Sequence, residues 1–233
     1  MDRAELLDTA RRLARSLAPG DLDNTLRRIT SAAVDELPQV TCASITIRTG
    51  DGRLRTVAET SPVLVEVDRK QYELRDGPCF HASVDELFVL APDLEHDDRW
   101  PAYGQVAVAA GLRAQAGLRL FEHPEGVGSL NLYSDKVGAF ADMGELEDLF
   151  LHEAVTAIGY AREADNVKIA ARARLDIGQA VGITMERYEL TDERAFALLV
   201  RTSEHRGITV HLVAQEILAA AEEQGESSNP VEH

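Results

Sequence analysis

Cys79 and His81 lie one residue apart in the turn-rich segment 76–82 (DGPCFHA), and Ser83 follows closely. A thiolate beside an imidazole can act as a nucleophile or supply half of a metal site. Cys42 is the other cysteine and stands alone in a predicted strand, so the sequence holds no second Cys/His pair at zinc-binding spacing. The sequence therefore favours a buried, structural thiol at Cys79, with a redox-sensing thiol as the alternative.

Asp93, His96, Asp97 and Asp98 form an acidic cluster just before Trp100. Such a cluster can attract a cation, but carboxylates directly before a helix more often cap it and stay solvated. The sequence contains no phosphate-binding glycine loop and no serine nucleophile elbow. We therefore predict neither a metal site nor catalysis.

The 233-residue chain is acidic, with a formal net charge of −16, but the charge is unevenly spread. Residues 168–220 are neutral, with seven basic and seven acidic side chains, whereas residues 221–233 carry four carboxylates and no basic side chain. No apolar run reaches the roughly 18 residues of a membrane span, and the amphipathic N-terminus lacks the apolar centre of a signal peptide. We expect a cytoplasmic protein without membrane contact, in which both cysteines stay reduced.

Helical and strand patterns alternate over the first two thirds of the chain. Apolar residues at helical spacing predict helices over residues 6–17 and 22–37, and alternation from residue 42 to residue 48 predicts a half-buried strand. A hairpin turn at Gly50-Asp51-Gly52 leads into a second strand. The later predicted elements are a helix over 63–74, a strand over 87–90, a helix over 100–110, and strands over 112–121 and 126–133 around a turn at Pro124-Glu125-Gly126. This order predicts an α+β fold, with an antiparallel sheet and flanking helices.

Local matches accompany this order of elements: Asp76-Gly77-Pro78-Cys79, Ala82, the strand Ser129-Leu130-Asn131-Leu132-Tyr133, and Phe140. With them, residues 20–165 resemble a GAF domain, a small-molecule-sensing fold. The resemblance implies a ligand pocket on the sheet, with Asp76, Cys79 and His81 in its wall and an unidentified small molecule as its occupant. A fold used only for dimerisation is the alternative. Free-methionine-sulfoxide reductases share this fold but use three cysteines, and this chain has two.

A long helix is predicted from residue 144 to about residue 185, where no proline occurs. Small and apolar residues recur in it near a 3.5-residue repeat: Leu146, Phe150, Ala154, Ala157, Ala161, Ala164, Ala171 and Leu175. This stripe predicts a parallel dimeric coiled coil, with a single helix packed on its own sheet as the alternative.

Three short helices are predicted between residues 170 and 220. Thr191-Asp192-Glu193 begins the second helix with a hydroxyl cap and two carboxylates near the dipole. Gly207 ends that helix, and Thr209 caps the third. The apolar face of each helix repeats at three- and four-residue spacing, so the three faces can close one small core.

The motifs of these helices occur in a fixed order: Ala180-Val181-Gly182-Ile183-Thr184-Met185, then Ala195-Phe196-Ala197-Leu198-Leu199, Ser203 and Val213-Ala214. In these motifs the C-terminal quarter resembles an ANTAR domain, a three-helix RNA-binding module of bacterial transcription antiterminators. The resemblance implies binding of paired RNA hairpin loops, with Tyr188 able to stack on a base. The implied RNA-binding residues are Arg172, Arg174, Gln179, Gly182, Arg187, Arg201, Ser203, Arg206 and His211.

Two departures from the ANTAR pattern concern charge. The family commonly has lysine between the Ala and Gly of the first motif, where this chain has Val181. After Ser203 the family tends towards polar and basic residues, whereas Gly207-Ile208-Thr209 provides no charge. Fewer phosphate contacts predict weaker, less salt-dependent RNA binding.

These features predict five segments: an N-terminal helix (1–20), a GAF-like sensor domain (21–143), a connecting helix or coiled coil (144–170), an ANTAR RNA-binding domain (171–221) and a disordered acidic tail (222–233). We predict a cytoplasmic homodimer in which a small-molecule ligand or an upstream signalling protein controls RNA hairpin binding and thereby antitermination. The alternatives are a dimerisation or protein-interaction regulator with weakened RNA binding, and a redox sensor centred on Cys79.

Overall fold

The computed structural model describes residues 3–17, 20–84, 86–123, 126–141 and 144–227. Within it the chain divides into two compact units, residues 1–163 and residues 164–233. The predicted turn residues Pro124 and Glu125, and residues 228–233 of the predicted tail, lie outside the described residues. No helix in the described ranges is both long enough and apolar enough to cross a membrane.

The N-terminal unit is built on a five-stranded sheet in which every neighbouring pair of strands is antiparallel. The strand order is β2-β1-β5-β4-β3, so β5 lies at the centre. The predicted α+β fold with an antiparallel sheet and flanking helices is confirmed. The elements are α1 (Arg3–Ser16), α2 (Leu22–Glu36), β1 (Cys42–Thr49), β2 (Leu54–Val57), α3 (Val63–Leu74), α4 (Pro78–Val84), β3 (Phe88–Ala91), α5 (Pro101–Ala109), β4 (Ala114–His123), β5 (Gly126–Ser134) and the first part of α6 (Glu145–Tyr188).

One face of this sheet is apolar because alternate residues of its central strands are aliphatic. Ile45 of β1, Leu118 of β4 and Leu130 of β5 are almost completely buried there. They form one core with Ile29 of α2 and Phe150 of α6. We call this surface of the sheet the apolar face.

The segment 76–82, predicted to be turn-rich, contains the short helix α4. Gly77 makes the turn before it, with a φ of 108°, and a Cβ at this position would lie 2.5 Å from Gln71 Oε1. Pro78 then begins the helix, where its missing N–H is harmless because the first-turn amides have no partner within the helix. The prediction of a turn-rich segment is therefore correct only up to Gly77, because Gly77-Pro78 marks the start of a helix here.

The stripe of small residues on α6 meets different surroundings along its length. Phe150, Ala154 and Ala157 belong to the core of the N-terminal unit, and Ala161 is fully buried. For this half of the stripe, the structure supports the alternative of a helix packed on its own sheet. In the C-terminal unit, by contrast, Leu175 is 52% exposed.

The C-terminal unit consists of the remainder of α6, α7 (Asp192–Arg206) and α8 (Val210–Ser227). The predicted three-helix arrangement is confirmed, and α8 continues into the segment predicted as the acidic tail. The helices share a small core, formed by Ala180, Val181, Ala195, Leu199, Val213 and Ala214.

The turn between α6 and α7 begins at Glu189, which has a left-handed φ of 52°. Leu190 donates its N–H to the Met185 carbonyl at 3.1 Å, which closes the end of α6. Thr191 takes the N-cap position of α7 but makes no side-chain hydrogen bond to the backbone. The predicted hydroxyl cap is therefore wrong, and the predicted first-turn carboxylates are Asp192 and Glu193.

The turn between α7 and α8 matches its prediction. Gly207 ends α7 in the left-handed conformation, with a φ of 63°. Thr209 Oγ1 then accepts the Leu212 N–H at 3.3 Å and caps α8.

Candidate functional sites

The second face of the sheet in the N-terminal unit is polar, although it is also buried. In β5, Ser129, Asn131 and Tyr133 point to this face, and the leucines between them point to the other. The antiparallel register places Ser44 opposite Asn131 and Thr46 opposite Ser129. We call these strand residues, with the side chains of α3, α4 and α5 bonded to them, the polar face.

A buried carboxylate, Asp68 of α3, lies at the centre of the polar face. Its Oδ2 accepts hydrogen bonds from Ser44 Oγ at 2.8 Å and from Thr56 Oγ1 at 3.0 Å, and its Oδ1 accepts one from the Tyr133 hydroxyl. Burial raises the pKa of Asp68 to about 6, and the three hydrogen bonds act in the opposite direction. The Asp68 carboxyl group therefore gains or loses its proton near neutral pH.

A chain of hydrogen bonds leads from α5 to this carboxylate. The Tyr103 hydroxyl donates to Gln115 Oε1 at 2.6 Å, and Gln115 Nε2 donates to the Tyr133 hydroxyl at 3.2 Å. Burial raises the pKa of both tyrosines well above its ordinary value, so both hydroxyls remain donors. All three hydrogen bonds therefore donate in one direction, from Tyr103 towards Asp68.

Thr46 connects the polar face to Cys79. Its Oγ1 lies 2.7 Å from Cys79 Sγ and 2.9 Å from the Tyr72 hydroxyl, and it accepts a hydrogen bond from Asn131 Nδ2 at 2.8 Å. Cys79 is fully buried, and this burial raises the pKa of its thiol well above the ordinary value. Because a reactive cysteine needs an accessible thiolate, the structure supports the structural thiol and argues against the redox sensor.

The other two residues predicted for a pocket wall, Asp76 and His81, lie nearer the surface. His81 Nε2 is 3.4 Å from Asp76 Oδ1, and both side chains are about one-third exposed. The structure pairs His81 with Asp76 and Cys79 with Thr46, so it does not join the cysteine and the histidine into one site. Among the described residues, no group of three or more His, Cys, Asp or Glu is arranged to hold a metal ion.

Two buried amide atoms of the polar face, Gln71 Nε2 and Asn131 Oδ1, have no hydrogen-bond partner in the described part of the chain. Gln71 Oε1 accepts the Cys79 N–H at 2.9 Å, which leaves Nε2 as the unused donor. An unpaired buried polar atom costs about 1–3 kcal/mol. One donor and one acceptor therefore remain for a polar ligand atom or a water molecule.

The nine residues predicted to contact RNA are spread over all three helices of the C-terminal unit. His211 is half-buried, and Ser203 is buried, with its hydroxyl donating to the Ile208 carbonyl at 2.5 Å. A Cβ at Gly182 would meet no atom within 4 Å, so this glycine offers open backbone surface. The exposed members of the set are Arg172, Arg174, Gln179, Gly182, Arg187, Arg201 and Arg206.

A buried carboxylate, Asp176 of α6, contacts two of these predicted residues. His211 Nε2 of α8 lies 2.9 Å from Asp176 Oδ2, and Arg172 Nε lies 3.1 Å from Oδ1. A buried charge of this kind requires polar partners. His211 therefore joins α8 to α6, whereas Arg172 pairs with Asp176 one turn away on α6 itself.

The helices α6, α7 and α8 enclose a groove of about 300 Å³, which we call the C-terminal groove. Arg206 and Glu216 form an ion pair beside it, in which both terminal nitrogens of the guanidinium contact the carboxylate, Nη2 at 2.8 Å. The groove brings together two predicted RNA-binding residues, Arg187 and Arg206, with the predicted stacking residue Tyr188. Its apolar lining is Ile183, Leu198, Leu199, Val213 and Ile217, and its polar lining is Thr184, Arg187, Tyr188, Thr202, Arg206 and Glu216.

Val181 does not lie on the surface that was expected to meet RNA. It is 6% exposed and belongs to the three-helix core, so its interpretation as a lost phosphate contact is corrected. A lysine here would have to carry its ammonium group out past the core along its aliphatic stem. The second departure also has a structural role, because Gly207 ends α7, Ile208 packs against the core and Thr209 caps α8.

The C-terminal unit matches a known family. Residues 165–218 match the sequence model of the ANTAR domain. No curated protein sequence matches the chain at a significant level.

Solved structures similar to the chain include GAF domains. The GAF domain of a phosphoenolpyruvate-protein phosphotransferase from Coxiella burnetii is 16% identical, with a TM-score of 0.50 over 71% of this chain and 99% of that one. Free methionine-R-sulfoxide reductase from Neisseria meningitidis is 13% identical, with a TM-score of 0.51 over 70% and 95%. The photosensory core module of a Stigmatella aurantiaca phytochrome is 11% identical, with a TM-score of 0.55 over 86% and 44%. At these identities the likeness is one of fold, and the N-terminal unit has a GAF-like fold.

Proposed function

We propose that this chain, in which an ANTAR domain at residues 165–218 follows a GAF-like fold, is a signal-responsive RNA-binding regulator of transcription termination. The C-terminal unit binds RNA hairpins, and a small molecule or a signalling protein acts on the N-terminal unit. Bound hairpins keep a terminator from forming, so transcription continues. The protein works in the cytoplasm and carries out no catalysis.

The ANTAR match is the observation that carries this proposal. The C-terminal unit supports it with exposed cationic side chains on α6 and α7, among them Arg174 and Arg201. Tyr188 is 59% exposed and available for stacking. Folded RNA loops are bound through phosphate contacts together with stacking on unpaired bases.

The polar face supports a sensing role for the N-terminal unit. A buried polar network stabilises a fold less reliably than an apolar core, because every group in it needs a partner. The apolar face shows that the same sheet can be packed with aliphatic side chains. Gln71 Nε2 and Asn131 Oδ1 are an unused donor and an unused acceptor on this face, which a polar ligand would satisfy.

A second copy of the chain provides two RNA-binding units for two hairpins. Exposed apolar side chains on one side of the C-terminal part of α6 support such an association, namely Val167 and Leu175, which are 60% and 52% exposed. Light scattering should therefore give twice the mass of the chain. A monomer at RNA-binding concentrations contradicts this part of the proposal.

Binding of a tandem-hairpin RNA by the full chain tests the RNA-binding function. Fluorescence anisotropy at about 50 mM and about 200 mM salt should show saturable binding that weakens as salt rises. The same RNA with its loops closed into continuous duplex is the matched control and should bind much more weakly. Absence of binding to the tandem hairpins at both salt concentrations overturns the RNA-binding function.

A protein-interaction regulator is the second candidate, and the charge of the C-terminal unit favours it. Residues 168–220 are neutral, and Arg172, Arg206 and His211 contact carboxylates within the unit. If this second function is correct, the three-helix unit binds a partner protein in place of RNA. A chain that forms dimers but binds no hairpin RNA at either salt concentration is the result that selects it.

A further inference from the structure

The C-terminal groove combines an apolar interior with a polar edge. Its volume of about 300 Å³ lies at the lower end of the range for small-ligand pockets. Leu199 and Val213 line its buried part, while Tyr188 and Arg206 are exposed beside it. A planar group with an apolar face and polar edge atoms suits this combination.

We propose that the C-terminal groove binds one unpaired base of an RNA hairpin loop, and that Arg206 contacts the phosphate next to that base. The inference rests on the proposed RNA-binding function. It names the part of the RNA that the protein reads and the residues that read it.

An unpaired base fits the groove for two physical reasons. Bases splayed out of a loop stack on aromatic rings and on guanidinium planes, and Tyr188 and Arg187 supply one of each. Thr184 and Thr202 also line the groove, and their hydroxyls donate to carbonyls of their own helices at 2.7 and 2.9 Å. Each threonine oxygen is therefore left to accept a hydrogen bond. An exocyclic amino group has two N–H donors for these two acceptors, whereas uracil has one, its N3–H, so the groove favours a base with an amino group.

Glu216 competes with RNA phosphate for Arg206. Its carboxylate contacts both terminal nitrogens of the Arg206 guanidinium, which is the geometry that a phosphate group also takes. The two side chains are 45% and 53% exposed, and an exposed ion pair of this kind is weak because water and salt screen it. A phosphate can therefore displace Glu216, whose negative charge also opposes the approach of RNA.

The charge at the groove favours RNA over the other occupants of an apolar groove. Residues 168–220 as a whole are neutral, but the residues lining the groove include two arginines and a single carboxylate. The lining of the groove therefore carries a formal net charge of +1 within a unit whose charges otherwise balance. An apolar segment of a second copy or of a partner protein would gain nothing from it.

Charge variants of the full chain test the inference by anisotropy with tandem-hairpin RNA. Arg206→Ala should weaken binding about tenfold or more, whereas Arg194→Ala, the same change at an exposed site on α7 outside the groove, should weaken it about threefold or less. Glu216→Gln should strengthen binding about threefold or more, and Glu204→Gln, an exposed carboxylate of α7 outside the groove, is its control. Both glutamates are on the surface, so these variants keep the fold.

Changes in the RNA locate the base. Each loop position is replaced in turn by an abasic nucleotide and by uridine. At one position, either replacement should lower the affinity of the protein for the RNA about tenfold. Leu198→Trp, which fills the groove, should abolish the difference between intact and abasic RNA. Circular dichroism and light scattering of this variant check its fold and its mass.

Four results overturn the inference while wild-type RNA binding, and with it the proposed function, stands. They are equal effects of Arg206→Ala and Arg194→Ala, no gain from Glu216→Gln, no loop position sensitive to base removal, and a changed mass for Leu198→Trp with unchanged RNA affinity, which would make the groove a contact between copies. A wild-type chain that binds no hairpin RNA overturns the proposed function and the inference together.

Discussion

The two faces of the sheet in the N-terminal unit are equally buried but chemically opposite. Ile45 and Leu130 lie in the apolar face, whereas the next residue along each strand, Thr46 and Asn131, lies in the polar face. An apolar face is stabilised by burial itself. A polar face adds stability only where each group is bonded, and here two amide atoms are not. The difference indicates that one face holds the fold together and that the other is shaped by a further requirement, for which ligand sensing is our proposal.

The apolar face should show the largest loss of stability on truncation. Leu130→Ala removes a fully buried side chain from the central strand and should lower the free energy of unfolding by about 2–5 kcal/mol. Urea denaturation followed by circular dichroism measures this. Leu87→Ala, at a site 61% exposed, is the control and should cost far less. A loss below about 1 kcal/mol for Leu130→Ala would remove the distinction between the faces.

Asp68 should make the stability of the polar face depend on pH. Its pKa is raised to about 6 from 3.8, so the folded state holds the proton more tightly than the unfolded state does. The stability that this proton contributes is fully present below about pH 3.8 and is lost as pH rises through about 6. From pH 4 to pH 7, the stability of the wild type relative to Asp68→Asn should therefore fall by up to about 3 kcal/mol.

Urea denaturation of both proteins at four pH values measures this slope. Asp98→Asn, at an exposed carboxylate, is the matched control and should follow the wild type. Parallel pH curves for the wild type and Asp68→Asn would show that the buried carboxyl does not titrate between the two states.

The sequence indicated the sheet but not its polar centre. Alternation along β1 predicted that strand, because the pattern follows directly from the pleat. Asp68 stands in a charged stretch of α3, where a carboxylate is normally solvated. Only the packing of α3 across the strands removes it from water, and no local pattern reports such a contact.

The C-terminal unit shows the same limit for charged residues. Its three helices follow from apolar periodicity and from Gly207, all of which are local features. The pair formed by Arg206 and Glu216 spans ten residues and depends on how α7 packs against α8. The burial of Val181 likewise depends on which side of α6 packs against α7 and α8. The lysine that the ANTAR family commonly has at this position suggested an exposed site instead.

Adjacent residues of β1 allow a direct comparison of the faces. Thr46→Val removes the hydroxyl that bonds Asn131, Tyr72 and Cys79 while keeping the size of the side chain, and it should cost about 1–3 kcal/mol. Ile45→Val removes one methylene from the apolar face and should cost about 0.5–1.5 kcal/mol. Denaturation of the two variants under one set of conditions ranks them. A neutral Thr46→Val would mean that the polar network contributes little to folding.

Thiol reactivity should reveal no opening of the polar face, which is the smallest effect expected. Cys79 is fully buried, and burial also raises the pKa of Cys42 to about 12. Native protein at pH 8 should therefore react with a chromogenic disulfide far more slowly than protein in urea. Cys42→Ser isolates the Cys79 signal. Rapid labelling of that variant in the native state would show that the polar face opens readily.

The central position of β5 has a consequence for the chain while it is being made. Ile45 of β1 pairs with Leu130 of β5, 85 residues further along, so one edge of β1 stays unpaired until β5 emerges. At the usual rate of synthesis this takes about 4–17 s, and an open strand edge can pair with other chains. Fragments released before Gly126 should therefore sediment, while the full chain stays in the supernatant. The growing chain therefore exposes this strand edge while it is still on the ribosome, before its middle strand exists.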